Sequence, residues 1–183
     1  MRFEETVKKR RSVRKYLKRP IPGSVLKKIL DMARRAPSSL DGQPWHFLVI
    51  TSPATKEELA RIKNRYCPFD KQEFGADFIV GAPAVVAVCV HKKRSYDRGI
   101  ESAVLATGHL LLAATDRGLS GVYMSAYKTG EPAVSEDIRA LLKIPKHLDP
   151  VTLIPLGYPA TGPARKKLRP LRRMITYDTR RKK

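Results

Sequence analysis

Three arginines and a serine stand within five residues at Arg10, Arg11, Ser12 and Arg14. That grouping can chelate a phosphate, because a guanidinium presents paired N–H donors to two oxygens where a lysine presents a point charge. The same residues follow a short helical pattern, Phe3 and Val7 lying four apart. They therefore also stand where cations complement the dipole of a helix C-terminus. A second polar set fills Ala36-Pro-Ser-Ser-Leu-Asp-Gly-Gln-Pro-Trp-His-Phe47. Pro37 and Pro44 stiffen this segment, and Ser38, Ser39, Asp41 and Gln43 crowd it with donors and acceptors. Such a loop can hold a polar, planar ligand against a sheet edge, or form a capped turn that satisfies its own backbone. A third candidate is Ile154-Pro-Leu-Gly-Tyr-Pro159, a strand that ends at Gly157, where the chain turns at the edge of a cleft.

Self-sufficient catalytic sets are missing. His46, His91, His109 and His147 have no metal-ligand spacing, and neither GxSxG nor HExxH occurs. Nucleotide-binding GxGxxG and GxxxxGK[ST] runs are absent too. Cys67 and Cys89 are too few and too far apart for a disulfide framework or a zinc site, and Cys89 falls in an apolar run as a small core residue. An enzyme built from this chain must take its reactivity from a cofactor.

The elements that would position these groups alternate between helix and strand. Helical patterns cover residues 3–10, a segment with Ser24 as N-cap and Val25, Ile29, Leu30 and Ala33 on one face, Thr55 to Arg65, residues 100–117, and Pro132 or Ala133 to Lys143. The 100–117 helix is apolar nearly all round, which predicts burial on every side, and Gly118 caps it. Strands are predicted at His46–Thr51, Ala84–His91, Gly121–Ala126 and Val151–Leu156, the second buried on both faces. Residues 66–83, with Pro68, Gly75, Gly81 and Pro83, read as irregular, a possible flap. The pattern is a mixed α/β layer protein with neither a Rossmann nor a P-loop domain.

The 183 residues fit one domain, 1–183, with 42% hydrophobic residues to build a core. Lysine and arginine number 37 against 17 acids, a formal charge of +20, and a field of that sign attracts phosphates and nucleic acid. Part of the excess runs from Arg165 to Lys183: the last residues, about 179–183, read as a solvated basic tail, whereas Leu168, Leu171, Met174 and Ile175 give the preceding stretch apolar anchors. A polyanion-binding module is the competing reading. Against it, aromatics are only 7% and no RNP-like or helix-turn-helix signature occurs. No apolar h-region or membrane-length run is present, so a reducing, cytoplasmic location with no membrane partner is expected.

The order RRSVRKY, a Pro-x-Pro turn, a helix ending APSS-x-x-x-QPW-x-F, an Ala-rich helix ending in RGL, and IPLGYP resembles the FMN-dependent nitroreductase family, from about residue 7 to residue 178. The resemblance implies an α+β, three-layer α/β/α fold: a mixed, mostly antiparallel central sheet flanked by helices, with a C-terminal segment reaching the partner subunit. It implies a homodimer with FMN sites at the interface. In the activity it implies, NADH or NADPH reduces FMN, which in ping-pong fashion reduces a nitroaromatic, quinone or similar electron-poor acceptor. Other superfamily chemistry, of dehalogenase or dehydrogenase type, is the alternative. Flavin carries the reaction, so no residue is assigned as catalytic and no metal is implied. Arg10, Arg11, Ser12 and Arg14 would hold the phosphate and ribityl chain. Pro37, Ser38 and Ser39, in a loop shared with Asp41 and Gln43, would reach the partner's flavin. The backbone at Met124, Ser125 and Ala126 would pass the ring, and Gly157, Lys167 and Arg169 would complete the phosphate end. The family often has Asn at Asp41 and Gly at Ser125, and the 66–83 region is short for a substrate cap. A carboxylate at 41 repels an anionic reduced flavin unless it is hydrogen-bonded or protonated.

Overall fold

The computed structural model describes residues 2–67, 75–128, 130–162 and 166–177. Residues 68–74 of the expected flap, Arg165, and the tail at 179–183 lie outside them. The elements are α1 (Phe3–Lys9), α2 (Gly23–Ala33), β1 (Trp45–Ile50), α3 (Pro53–Arg65), α4 (Phe78–Gly81), β2 (Ala84–His91), α5 (Gly99–Asp116), β3 (Ser120–Gly121), β4 (Met124–Ser125), α6 (Ala133–Leu142) and β5 (Leu148–Gly157). The sheet runs β1-β2-β5-β3, and β4 also pairs with β5. Every named pair is antiparallel, and among the described residues the one parallel contact is an isolated bridge between Ser12 and Gly121.

Strand β2 explains the three layers. Its continuous β-branched run is buried throughout, and because side chains alternate its residues divide between two cores. Val85, Ala87 and Cys89 join Leu59, Ile62, Val134 and Ile138 of α3 and α6. Val86, Val88 and Val90 join Ile29, Ala33, Ala103 and Leu110 of α2 and α5. The expected strand buried on both faces is thus the middle of an α/β/α sandwich. Across it, the Thr107 and Thr152 hydroxyls meet at 2.8 Å in the buried contact between α5 and β5.

Four expectations need correction. Ser24 does not cap α2. Pro22 does, its fixed φ letting its carbonyl accept from Val25 N–H and Leu26 N–H at 2.9 and 3.0 Å. The irregular 66–83 stretch contains the short helix α4. Helix α5 is not buried all round: Ile100, Val104 and Leu105 stay 46%, 40% and 45% exposed, because nothing among the described residues covers that face. Finally, the strand expected over Gly121–Ala126 is interrupted at Val122 and Tyr123. Gly121↔Leu156 and Met124↔Leu153 share one register, so Val122 falls opposite Pro155, which has no N–H to give the ladder.

Strand β5 reaches Gly157, and its missing side chain is a packing requirement. A Cβ there would stand 2.6 Å from Pro83 Cδ and 2.9 Å from Tyr16 Cδ1. Neither a proline ring nor a packed tyrosine ring moves aside easily. Gly157→Ala should therefore lower stability by about 1–3 kcal/mol, measured as a lower urea midpoint with unchanged m-value.

Candidate functional site

Helix α1 ends at Lys9, and from Arg10 the chain runs extended along the sheet margin. Ser12 bridges Gly121, and Val13 N–H donates to Gly121 O at 3.3 Å. Tyr16 O–H donates to Val13 O at 2.5 Å and contacts Pro155 O at 3.2 Å, and burial pushes this phenol far above its ordinary range despite nearby Arg14. Leu17 N–H donates to Tyr158 O, and Ala160 N–H to Lys15 O. The arm is thereby fixed across the ends of β3 and β5. Val13 turns inward, which leaves Ser12 and Arg14 exposed.

The arginines separate by role. Arg11 donates to Lys8 O at 2.6 Å and Arg10 O at 2.8 Å, the helix-end job that sequence alone could not tell from phosphate binding. Arg14 lies over the Phe78 ring, 5.6 Å from its centroid. Among the described residues no carboxylate pairs with Arg10 or Arg14.

Three residues beyond Gly121, β4 presents its backbone. Ala126 N–H donates to Val151 O at 2.8 Å. Because ladder pairs alternate, Ser125, opposite Thr152, turns its N–H and C=O away from β5 to the open sheet edge. Of the expected backbone donors at 124–126, Ser125 N–H is thus the one aimed outward, while that of Ala126 is taken by the sheet. The Ser125 carbonyl accepts from Lys63 Nζ at 2.8 Å. Lys63 was not singled out by sequence. The available signal was its place on the inward face of α3, four residues after Leu59. Lys63, Met124, Ser125 and Tyr127 help line a cavity of about 260 Å³.

The Pro37–Pro44 loop has an unusual backbone. Leu40, Asp41 and Gln43 have φ of 47°, 49° and 44°, a region costing non-glycine residues of order 1–3 kcal/mol each. Gly42, with an ordinary φ of −65°, lets the loop press on its neighbour: a Cβ there would come within 2.1 Å of Arg94 O. Ser38 Oγ accepts from Gln43 N–H at 3.0 Å, and Gln43 Nε2 donates to Asp41 Oδ1 at 3.1 Å. The capped-turn reading holds at Ser38, which satisfies the loop's own backbone, while Asp41 accepts from the side-chain amide of Gln43. Ser39 Oγ has no hydrogen-bond partner among the described residues.

The two polar sets do not meet within one chain. The loop precedes β1 at one edge and at the end of the sheet where Trp45 pairs with Val90, whereas Ser12 lies beside β3 at the other edge and the opposite end. Three strand spacings across and seven residues along separate these corners by ~25 Å. Lys167 and Arg169 lie in a segment exposed throughout 166–177, and no ion pair or hydrogen bond ties them to the arm among the described residues. Gly157 serves the arm's packing against the sheet. Cys89 is removed from chemistry by burial, which pushes its thiol up to about 12. No group of His, Cys, Asp and Glu among the described residues could hold a metal, and no helix there is long and apolar enough to cross a membrane.

A sequence model of the Nitroreductase family matches residues 7–158, the span from the basic arm to LGYP. The chain belongs to the nitroreductase family. That places it among flavoenzymes of the oxidoreductase class. It is 34% identical over 166 residues to a Methanothermobacter thermautotrophicus protein named "Putative NADH dehydrogenase/NAD(P)H nitroreductase", covering 90% of this chain and 81% of that one. It is 32% identical to an iodotyrosine deiodinase of Haliscomenobacter hydrossis, covering 84% and 77%. Among solved structures, oxidized iodotyrosine deiodinase bound to FMN and 3-iodo-L-tyrosine is similar with a TM-score of 0.81 at 26% identity, over 97% of this chain and 99% of that one. The three-layer fold and the family expected from RRSVRKY, APSS and IPLGYP are therefore correct.

Proposed function

We propose that the chain forms a homodimer whose two FMN sites lie between subunits, and that it moves hydride from NADH or NADPH to a nitroaromatic, quinone or similar electron-poor acceptor. The observation that carries this reading is the separation of the two polar sets. The Ser12 arm and the Ser38–Ser39 loop stand too far apart to share one small ligand in one chain, so a second chain must bring its loop to the first chain's arm. Helix α5 supplies a surface for that meeting. Ile100, Val104 and Leu105 leave an apolar face open, and Gly108 on the same helix is exposed, with nothing within 4 Å of where its Cβ would stand. Exposed apolar surface of this kind is ordinarily an interface. The exposed segment 166–177, with Leu168, Leu171 and Met174 uncovered, is the arm proposed to reach the partner, and Lys167 and Arg169 come with it.

The residues fit the cofactor. Arg10 and Arg14 carry two positive charges with no acidic partner among the described residues, and the Ser12 hydroxyl is exposed between them. Together they would hold a phosphate dianion. Ser125 N–H, at the open sheet edge, would donate to the ring system. When bound, FMN supplies the hydride acceptor and donor that no side chain here provides. The protein's own work is orientation and charge: the arm fixes the phosphate end, the edge of β4 orients the ring, and the partner's Pro37-stiffened loop covers it and excludes water. The surplus of cations would also draw an anionic dinucleotide toward the site.

Similarity to the Haliscomenobacter deiodinase favours one second reading, reductive removal of halogen from an aromatic ring by the same flavin site. Comparing turnover of a nitroaromatic and of an ortho-iodophenol separates the two.

Purified protein should be yellow, and NADH or NADPH should bleach it. Charge-assisted hydrogen bonds are worth about 1.5–3 kcal/mol, so Arg10→Ala/Arg14→Ala should weaken FMN binding by at least ~100-fold, read by flavin fluorescence titration. Unchanged affinity would remove the phosphate assignment. Gly108→Leu should leave the monomer folded, since its side chain meets open space, yet yield a monomer in sedimentation that has lost FMN. A Gly108→Leu dimer would place the interface elsewhere.

A further inference from the structure

We propose that Lys63 is a positioning residue, holding Ser125 so that its N–H faces the flavin ring and adding positive charge beside that ring; this rests on the FMN reading above. Strand β4 is two residues long. The ladder that should steady it lapses at Val122 and Tyr123, opposite Pro155, so β5 alone holds Ser125 weakly. Residue 125 is also the position whose N–H and C=O both point off the sheet. The ammonium of Lys63 grips that carbonyl at 2.8 Å from helix α3, an ion–dipole bond stronger than a neutral one. Since both groups of one β residue point the same way, fixing the C=O also fixes the N–H.

The surroundings of Lys63 match this role better than simple satisfaction of a carbonyl. It is half-buried on the inward side of α3, where an aliphatic residue would pack without a desolvation penalty. Burial pulls its ammonium below the usual lysine range, and the neighbouring Cys67 acts in the opposite sense. No carboxylate neutralises it among the described residues. It lines a cavity with Met124, Ser125 and Tyr127, and its ammonium sits at the Ser125 carbonyl beside that cavity. A fixed positive charge beside a group that gains negative charge favours the charged form, so Lys63 should favour reduced flavin over oxidised flavin.

The test compares Lys63→Met, Lys63→Gln and Lys63→Arg with the wild type, each loaded with FMN. Lys63→Met should retain FMN while its reduced-to-oxidised ratio at a fixed ambient potential falls about tenfold, ~30 mV for a two-electron couple. Lys63→Gln, which keeps a donor but no charge, should shift the same way, and Lys63→Arg should stay within about twofold. In flavin-free protein, amide hydrogen exchange at Ala126, whose N–H donates to Val151 O in the sheet, should be at least tenfold faster in Lys63→Met because β4 is loosened, a readout independent of any reaction. Wild-type protein that binds FMN, with variants unchanged in both potential and exchange, would overturn this inference and leave the FMN reading standing. Wild-type protein that takes up no FMN would overturn both.

Discussion

The site depends on one close approach: the N-terminal arm lying directly on the end of the sheet. Gly157 has no side chain where Tyr16 and Pro83 crowd in, and Gly121 has none where a Cβ would stand 2.7 Å from Pro155 O. The first absence lets the arm lie on the sheet, the second lets β3 lie on β5, and Ser12 and Val13 then pair with Gly121. The pairing in turn sets Ser12 and Arg14 beside the strand whose Ser125 backbone faces outward. A methyl group at Gly157 would lift the arm and separate its donors from the β4 edge, and one at Gly121 would press β3 away from β5.

Proline at position 155 has a second consequence. Without its N–H, the ladder between β5 and the 120–125 stretch cannot run unbroken, so one strand becomes two short pieces. The second piece then needs an anchor from another element, and α3 supplies it through Lys63. An interruption that weakens the sheet is thus located at the edge proposed for binding, where the Ser125 backbone points off the sheet. The strained Pro37–Pro44 loop follows the same pattern at the opposite corner: Leu40 and Gln43 hold left-handed conformations, with Gly42 pressed against Arg94, and Ser39 is left with an unused hydroxyl.

The fold was largely legible in the chain. The apolar run Ala84–Val90 announced a strand buried on both faces, and the apolar 100–117 pattern a long central helix. The candidate site was legible as a set of segments, with the roles proposed within each segment left open. Local sequence does not distinguish Arg11, which turns back to its own helix end, from Arg10 and Arg14, because the difference lies in where the arm is pinned by Gly121 and Tyr158. The interruption at Val122 was hidden because it arises from Pro155, a residue more than thirty positions away that the register places opposite. Lys63 was hidden for a related reason: a lysine on an apolar helix face acquires meaning only when a carbonyl across the layer is known to point at it. The open face of α5 reversed an expectation of complete burial, since apolar periodicity reports what must be covered and not whether the same chain covers it.

The central claim is that each site takes its phosphate arm from one chain and its serine loop from the other. Subunit complementation tests it most directly. An Arg10→Ala/Arg14→Ala chain and a Ser38→Ala/Ser39→Ala chain, co-expressed with different tags and purified as the mixed dimer, should bind one FMN per dimer, while either homodimer alone binds little. In the mixed dimer one site draws both intact halves, and the other draws both altered ones. Mixed dimers as empty as the two homodimers would mean that arm and loop act within a single chain, contradicting the account.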